Sequence, residues 1–171
     1  LECVFKTFED NAFDDNSKSK FVLAHLRLPH SPYVYNENGD IMQNKDKNDK
    51  SAYLSQLKFT ETKILEIIDT IQSHSPNAVI ILISDHGYRG EINWENPKRM
   101  DHIRAFNTIT SFYFHTGYEK VPSEISSVNV FRIFFNSYFN ADFEILEDKH
   151  IWYIHEKPYN QTTVSDIFKK T

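Results

Sequence analysis

Ala78-Val79-Ile80-Ile81-Leu82-Ile83-Ser84-Asp85-His86-Gly87 is the stretch whose reading decides the fold. Six apolar residues run without interruption and four of them are β-branched, which predicts a strand buried on both faces of a parallel sheet. The run stops on the polar pair Asp85-His86, and Gly87 then lets the backbone turn away from the sheet. Ligands of open α/β sheets bind outside the carboxyl ends of the strands, so this pair stands where chemistry is expected. A hard carboxylate oxygen beside an imidazole nitrogen suits a divalent transition metal such as zinc or manganese. The plainer alternative is that Asp85 caps the turn and His86 is an ordinary loop histidine.

Working outward, Phe21-Val22-Leu23-Ala24-His25-Leu26 predicts a second buried strand, followed by Arg27-Leu28-Pro29-His30-Ser31-Pro32-Tyr33. Pro29 and Pro32 restrict the backbone on either side of His30, which makes that imidazole a candidate ligand or general acid. Asn36 to Lys50 is almost entirely polar, with Asn38-Gly39-Asp40 as a turn. Ser51 is the expected cap of a long helix reaching about Ser73, whose apolar positions include Leu57, Ile64, Ile68 and Ile71. Strand, helix and strand in that order imply a right-handed βαβ crossover. That connection would bring His30 to the same sheet edge as Asp85 and His86.

Tyr88 to Arg104 reads as a long loop carrying Arg89, Arg99, Arg104, Asp101 and His102. Taken singly, each arginine reads as a solvated loop charge. A third strand is expected over Ile109–Phe114 and an aromatic helix from about Val128 to Phe139, capped by Ser126 or Ser127. Phe143–Leu146 and Ile151–Ile154 predict a terminal hairpin, with His150 and His155 on its surface. His74 complements the dipole of the long helix. The fold class expected is therefore α/β, a mostly parallel sheet with flanking helices and a terminal β-hairpin.

Composition excludes several functions. The 171 residues are 40% hydrophobic and 25% charged, as in one globular domain, and the net charge of −5 argues against a nucleic-acid surface. The 14 Phe and 9 Tyr point to a core packed with rings. A single cysteine, Cys3, rules out an internal disulfide and a cysteine metal site. No apolar run reaches membrane-spanning length. Gly-rich phosphate loops and Gly-x-Ser-x-Gly elbows are absent, against nucleotide-binding and serine-esterase readings.

Taken in order, three segments resemble the alkaline phosphatase superfamily, which includes sulfatases, lipoteichoic acid synthases and phosphoethanolamine transferases. Ser84-Asp85-His86-Gly87 looks like its metal-binding signature. Phe21 to Tyr33 is similar to its strand-then-His-x-Pro segment, and Ser126-Ser127-Val128-Asn129-Val130-Phe131-Arg132 looks like the final helix of sulfatase-like envelope proteins. The resemblance spans roughly residues 20 to 155. It implies that Asp85 and His86 bind a catalytic divalent metal, zinc or manganese, or calcium in a sulfatase-type site. It further implies that His30 acts on the transferred group, that His102 stands in for a further catalytic histidine, and that Arg89, Arg99 and Arg104 contact substrate. His25 matches a histidine of the transferase branch, with a core role as the alternative.

The family's nucleophile and its neighbouring acidic ligand have no recognisable counterpart, and Cys3 lacks a sulfatase nucleophile's Cys-x-Pro-x-Arg context. The expectation is thus a single domain, 1–171, forming the C-terminal part of a larger sulfatase-like catalytic domain. Its partners would be a phosphate or sulfate ester and its own N-terminal half. The resemblance places the membrane-associated parent at the periplasmic or extracellular face of a bacterial membrane. The competing expectation is a non-catalytic envelope module that keeps the fold.

Overall fold

The computed structural model describes residues 5–7, 10, 19–44, 46–115, 121–122 and 125–168. Cys3 and most of the polar run before Lys20 lie outside them. The chain forms two compact units, Leu1–Ala78 and Val79–Thr171.

In the first unit, β1 (Tyr33–Tyr35) and β2 (Ile41–Asn44) form an antiparallel hairpin whose turn and second strand fall in the stretch Asn36–Lys50 expected to be a solvated excursion. The Asn36 carboxamide oxygen accepts from the Asn38 and Asp40 amides, supplying the turn with hydrogen bonds from its own side chain. Gly39 adopts φ +88°, and a Cβ there would come within 2.8 Å of the Phe59 ring, so both conformation and space select glycine. Helix α1 (Lys50–His74) follows. Its N-cap is Asp49 rather than Ser51, the carboxylate accepting from the Ala52 amide at 2.9 Å.

The buried stripe of α1 is Ala52, Gln56, Phe59 and Thr60, while Leu57, Ile64, Ile68 and Ile71 are only half-buried. Tyr35 packs on Phe59 and Tyr33 on Tyr53, with ring centroids 5.0 and 6.1 Å apart. Gln56 has no exposed surface. Its Oε1 accepts from the amides of Val34 and Tyr35, and its Nε2 donates to the His30 carbonyl. This one buried amide ties the His30 segment and β1 to the helix, in place of bonds that backbone groups would otherwise lack.

The strand expected over Phe21–Leu26 does not form. These residues carry no ladder, and Phe21 and Leu23 are 77% and 78% exposed. A strand exists through its partner's hydrogen bonds, and an apolar run without a partner stays irregular. The βαβ crossover that needed this strand is absent with it.

In the second unit, β3 (Ile80–Ile83) pairs with β4 (Thr110–Tyr113), and the pairing is antiparallel. Among the described residues all three sheets are two-stranded and antiparallel, so the fold is a mixture of helix and strand without the mostly parallel sheet expected. β-branched enrichment reports burial and strand geometry; it carries no information on partner direction. Helix α2 (Arg99–Phe106) begins within the stretch Tyr88–Arg104 read as loop, because its apolar positions are few. Asp101 closes its first turn by accepting from the Lys98 amide at 2.8 Å.

Helix α3 (Ser127–Phe139) runs close to its expected bounds, with Ser126 as N-cap and Asn140 ending it in the left-handed region. The segment 143–146 is not a hairpin strand. Its backbone bonds instead to a stripe of α3 side chains. Asn129 exchanges bonds with Leu146, Asn136 exchanges bonds with Phe143, and Arg132 donates to the Glu144 carbonyl. The terminal antiparallel pair is made by β5 (Ile151–Trp152) with β6 (Thr162–Thr163). Ala105, Trp152 and Val164 form a buried cluster, joined by Ile92, Phe106, Ile167 and Phe168.

Candidate metal-binding pair at the end of β3

The β3 strand delivers its last polar residues into a turn that is held from two sides. Ser84 donates its amide to the Ile109 carbonyl at 3.0 Å, and its hydroxyl accepts from the Ile109 amide. The Gly87 amide donates to the Ala105 carbonyl at 2.8 Å. A Cβ on Gly87 would sit 2.1 Å from the Arg104 carbonyl oxygen and 2.7 Å from that of Asn107. Glycine is therefore the residue that lets the turn lie against the C-terminal end of α2.

Between these anchors, Asp85 and His86 point their polar atoms together. The Asp85 Oδ1 accepts from the His86 amide at 3.0 Å, which orients the carboxylate. His86 Nδ1 lies 2.7 Å from the Gly87 carbonyl oxygen. A carbonyl only accepts, so Nδ1 carries the proton and Nε2 is left with its lone pair. That Nε2 lies 3.6 Å from Asp85 Oδ2. Two donors each 2.0–2.1 Å from one tetrahedral cation stand about 3.3 Å apart, so the spacing fits a shared metal. The Nδ1–carbonyl bond is the outer-shell contact that fixes a metal-binding histidine's tautomer. Asp85 is 89% exposed on its side chain, leaving its oxygen open to an incoming ion.

His30, in the first unit, repeats the arrangement. Its Nδ1 lies 2.5 Å from the Ser31 carbonyl oxygen, again leaving Nε2 free, and the imidazole is exposed. Its own amide donates to Arg27 and its carbonyl accepts from Gln56. Gln56 went unseen in sequence because a polar residue on an amphipathic helix reads as solvent-facing. Its place one turn from Ala52 and Phe59, in register with the buried stripe, was the available signal.

The remaining residues expected at the site divide. His102 is buried in α2, its ring edge-on to Trp152 at 4.4 Å, and its Nδ1 has no hydrogen-bond partner among the described residues. Burial lowers its pKa, against the opposing pull of the Asp101 carboxylate. Arg89 places its guanidinium 5.7 Å from the Trp94 ring centroid. Arg99 donates to the Ile167 carbonyl, a structural bond between α2 and the short 3₁₀ turn Ser165–Ile167. Arg104 contributes its backbone carbonyl to the floor beneath Gly87. His150, expected on the surface, is half-buried between Phe106 and Phe168, with its Nδ1 enclosed. His74 bonds the Thr70 carbonyl in the last turn of α1. Among the described residues no group of three or more His, Cys, Asp or Glu side chains converges on one point. The Asp85-His86 pair thus offers two donors of one site.

The sulfatase family model matches residues 2–131, more than half of the chain. The chain belongs to the sulfatase family. No curated protein and no solved structure matches it. Sulfatase-family domains hydrolyse or transfer sulfate or phosphate esters and generally use a divalent metal, and in this sulfatase-family chain the matched region contains Asp85, His86 and the turn that aligns them. No described helix is long and apolar enough to cross a membrane.

Proposed function

We propose that this chain is the metal-holding part of a hydrolase or transferase of phosphate or sulfate esters, with Asp85 and His86 as ligands of one divalent cation. The observation that carries the reading is the 3.6 Å approach of Asp85 Oδ2 to a His86 Nε2 whose tautomer is set by Gly87. Zinc and manganese suit this nitrogen–oxygen pair, and calcium suits a sulfatase-type site in which oxygen ligands complete the shell. A cation held by Asp85 and His86 would supply Lewis-acid neutralisation of charge on the ester's non-bridging oxygens.

The chain's own residues do the rest. Asp85 and His86 fix the cation's position at the strand end. His30, with Nδ1 held by Ser31, keeps an Nε2 lone pair that can take up a proton. Arg89 and Arg104 remain the candidates for the substrate anion, whereas Arg99 is committed to Ile167. His102, buried and held toward neutrality, packs edge-on against Trp152 from α2, the helix whose C-terminal carbonyls support Gly87. The nucleophile and the further ligands belong to the N-terminal half of the domain, and the parent acts at the periplasmic or extracellular face of a membrane.

A second reading, a non-catalytic module of the same family, draws on the absence of a third convergent ligand among the described residues. Calorimetric titration with Zn²⁺ and Mn²⁺, paired with aryl phosphate and aryl sulfate assays, separates the two. The metal-site reading expects one weak site per chain, lost in Asp85→Ala and His86→Ala, and no turnover by the chain alone. Binding that both variants leave unchanged would overturn the metal assignment. Metal-dependent turnover by the 171 residues would overturn the incomplete-site reading.

A further inference from the structure

The register of β3 against β4, from Ile80 opposite Tyr113 to Ile83 opposite Thr110, places Ser84 opposite Ile109 as the next pair. A hydrogen-bonded antiparallel pair exchanges two bonds, each amide donating to the other residue's carbonyl. Ser84 and Ile109 make only one of these in the ordinary way, the Ser84 amide donating to the Ile109 carbonyl at 3.0 Å. The return bond, also 3.0 Å, runs from the Ile109 amide to the Ser84 hydroxyl oxygen. The Ser84 carbonyl bonds no other described residue. A side chain has taken the carbonyl's place in the ladder.

That exchange decides where Asp85 and His86 lie. A peptide group is planar, so a Ser84 carbonyl in the ladder would hold the Asp85 amide in line with the sheet and carry β3 onward. Successive side chains of a strand point to opposite faces, so Asp85 and His86 would then stand apart on its two sides. They instead approach to 3.6 Å, Asp85 Oδ2 to His86 Nε2. The hydroxyl satisfies the Ile109 amide, releases the carbonyl and lets the chain leave the sheet one residue before the carboxylate. Serine and threonine carry a short hydroxyl that bonds backbone groups in this way, and alanine does not.

We propose that Ser84 is the positioning residue of the Asp85–His86 pair, its hydroxyl ending β3 so that the carboxylate and the imidazole converge. The consequence for metal binding rests on the function proposed above, whereas the convergence itself needs no metal.

Nitrogen NMR of the metal-free full chain reads the arrangement through the His86 ring and the Ile109 amide. A Zn²⁺ titration of the same samples reads its consequence. In the parent, the Ile109 amide should exchange with solvent more slowly than in the unfolded chain, and His86 should carry its proton on Nδ1. Ser84→Ala should lose that tautomer preference and weaken Zn²⁺ binding about tenfold, as loss of a group that orients a metal ligand does. Ser84→Thr, which keeps the hydroxyl, should restore both. A change in His86 and Zn²⁺ binding at an unaltered melting temperature separates positioning from general stability. Unchanged His86 signals in Ser84→Ala, or a Ser84→Thr that behaves like Ser84→Ala, would overturn the proposal. Should Ser84→Ala fail to fold, an unprotected Ile109 amide in the parent would overturn it without any variant. If the parent binds no Zn²⁺ while Ser84→Ala still shifts the His86 tautomer, the metal reading falls and the positioning role stands.

Discussion

Gly87 and Gln56 position the candidate site histidines without touching a ligand themselves. Gly87→Ala drives a Cβ into the Arg104 and Asn107 carbonyls, which are backbone atoms that cannot swing aside. We expect a loss of about 1–3 kcal/mol by denaturant unfolding, together with weaker metal binding as the His86 turn lifts off α2. A stability change within about 0.5 kcal/mol would mean that the turn does not rest there. Gln56→Leu keeps the volume but strands the Val34 amide and the His30 carbonyl, at about 1–3 kcal/mol. If its stability equals that of the parent, the buried amide is not the clamp. The Asp85-His86-Gly87 turn was legible in sequence because a polar pair and a glycine interrupt an apolar run. Gln56 was not, since side-chain hydrogen bonds to a distant backbone leave no periodicity.

At the scale of elements, the α3 stripe of Asn129, Arg132 and Asn136 takes the place of a strand partner for residues 143–146. Asp148 closes the same arrangement, accepting from the Ser126 amide and hydroxyl and from Asn129. Partial burial alone would raise its pKa, but these bonds together with the nearby His150 outweigh burial and lower it. The unfolded chain therefore binds more protons than the folded one in the acid range. Stability from Asp148 is present above the ordinary carboxyl value of about 3.9 and is lost as pH falls through the depressed folded value. The stability gap between the parent and Asp148→Asn should be widest near neutral pH and close on acidification. A gap independent of pH would contradict the assignment.

Helices α1 and α3 were readable from apolar spacing within a residue or two of their ends, whereas α2, with few apolar positions, was not. Phe143–Leu146 was misread because an apolar run bonded to helix side chains has the same pattern as one in a ladder. The parallel sheet failed for a related reason: Phe21–Leu26 and Ile80–Ile83 have strand composition, but composition does not say which strand lies beside which.

Across the molecule as a whole, acid should act through His102 before it acts on the carboxylates. Its folded pKa is lowered, so the unfolded chain takes up the proton first. The associated stability is fully present above the ordinary imidazole value of about 6.5 and falls as pH drops through the folded value. His102→Phe should be less sensitive than the parent to a change from about pH 7.5 to about pH 5, measured by melting temperature. Equal sensitivity would place the acid response elsewhere. The central claim is the metal-binding role of Asp85 and His86 in a sulfatase-family chain, and histidine-resolved nitrogen NMR during Zn²⁺ titration tests it most directly. The His86 Nε2 resonance should shift on binding while Nδ1 keeps its proton, and Asp85→Ala should remove the response. A Zn²⁺ response that bypasses His86, or one that displaces the Nδ1 proton from the Gly87 carbonyl, would contradict it.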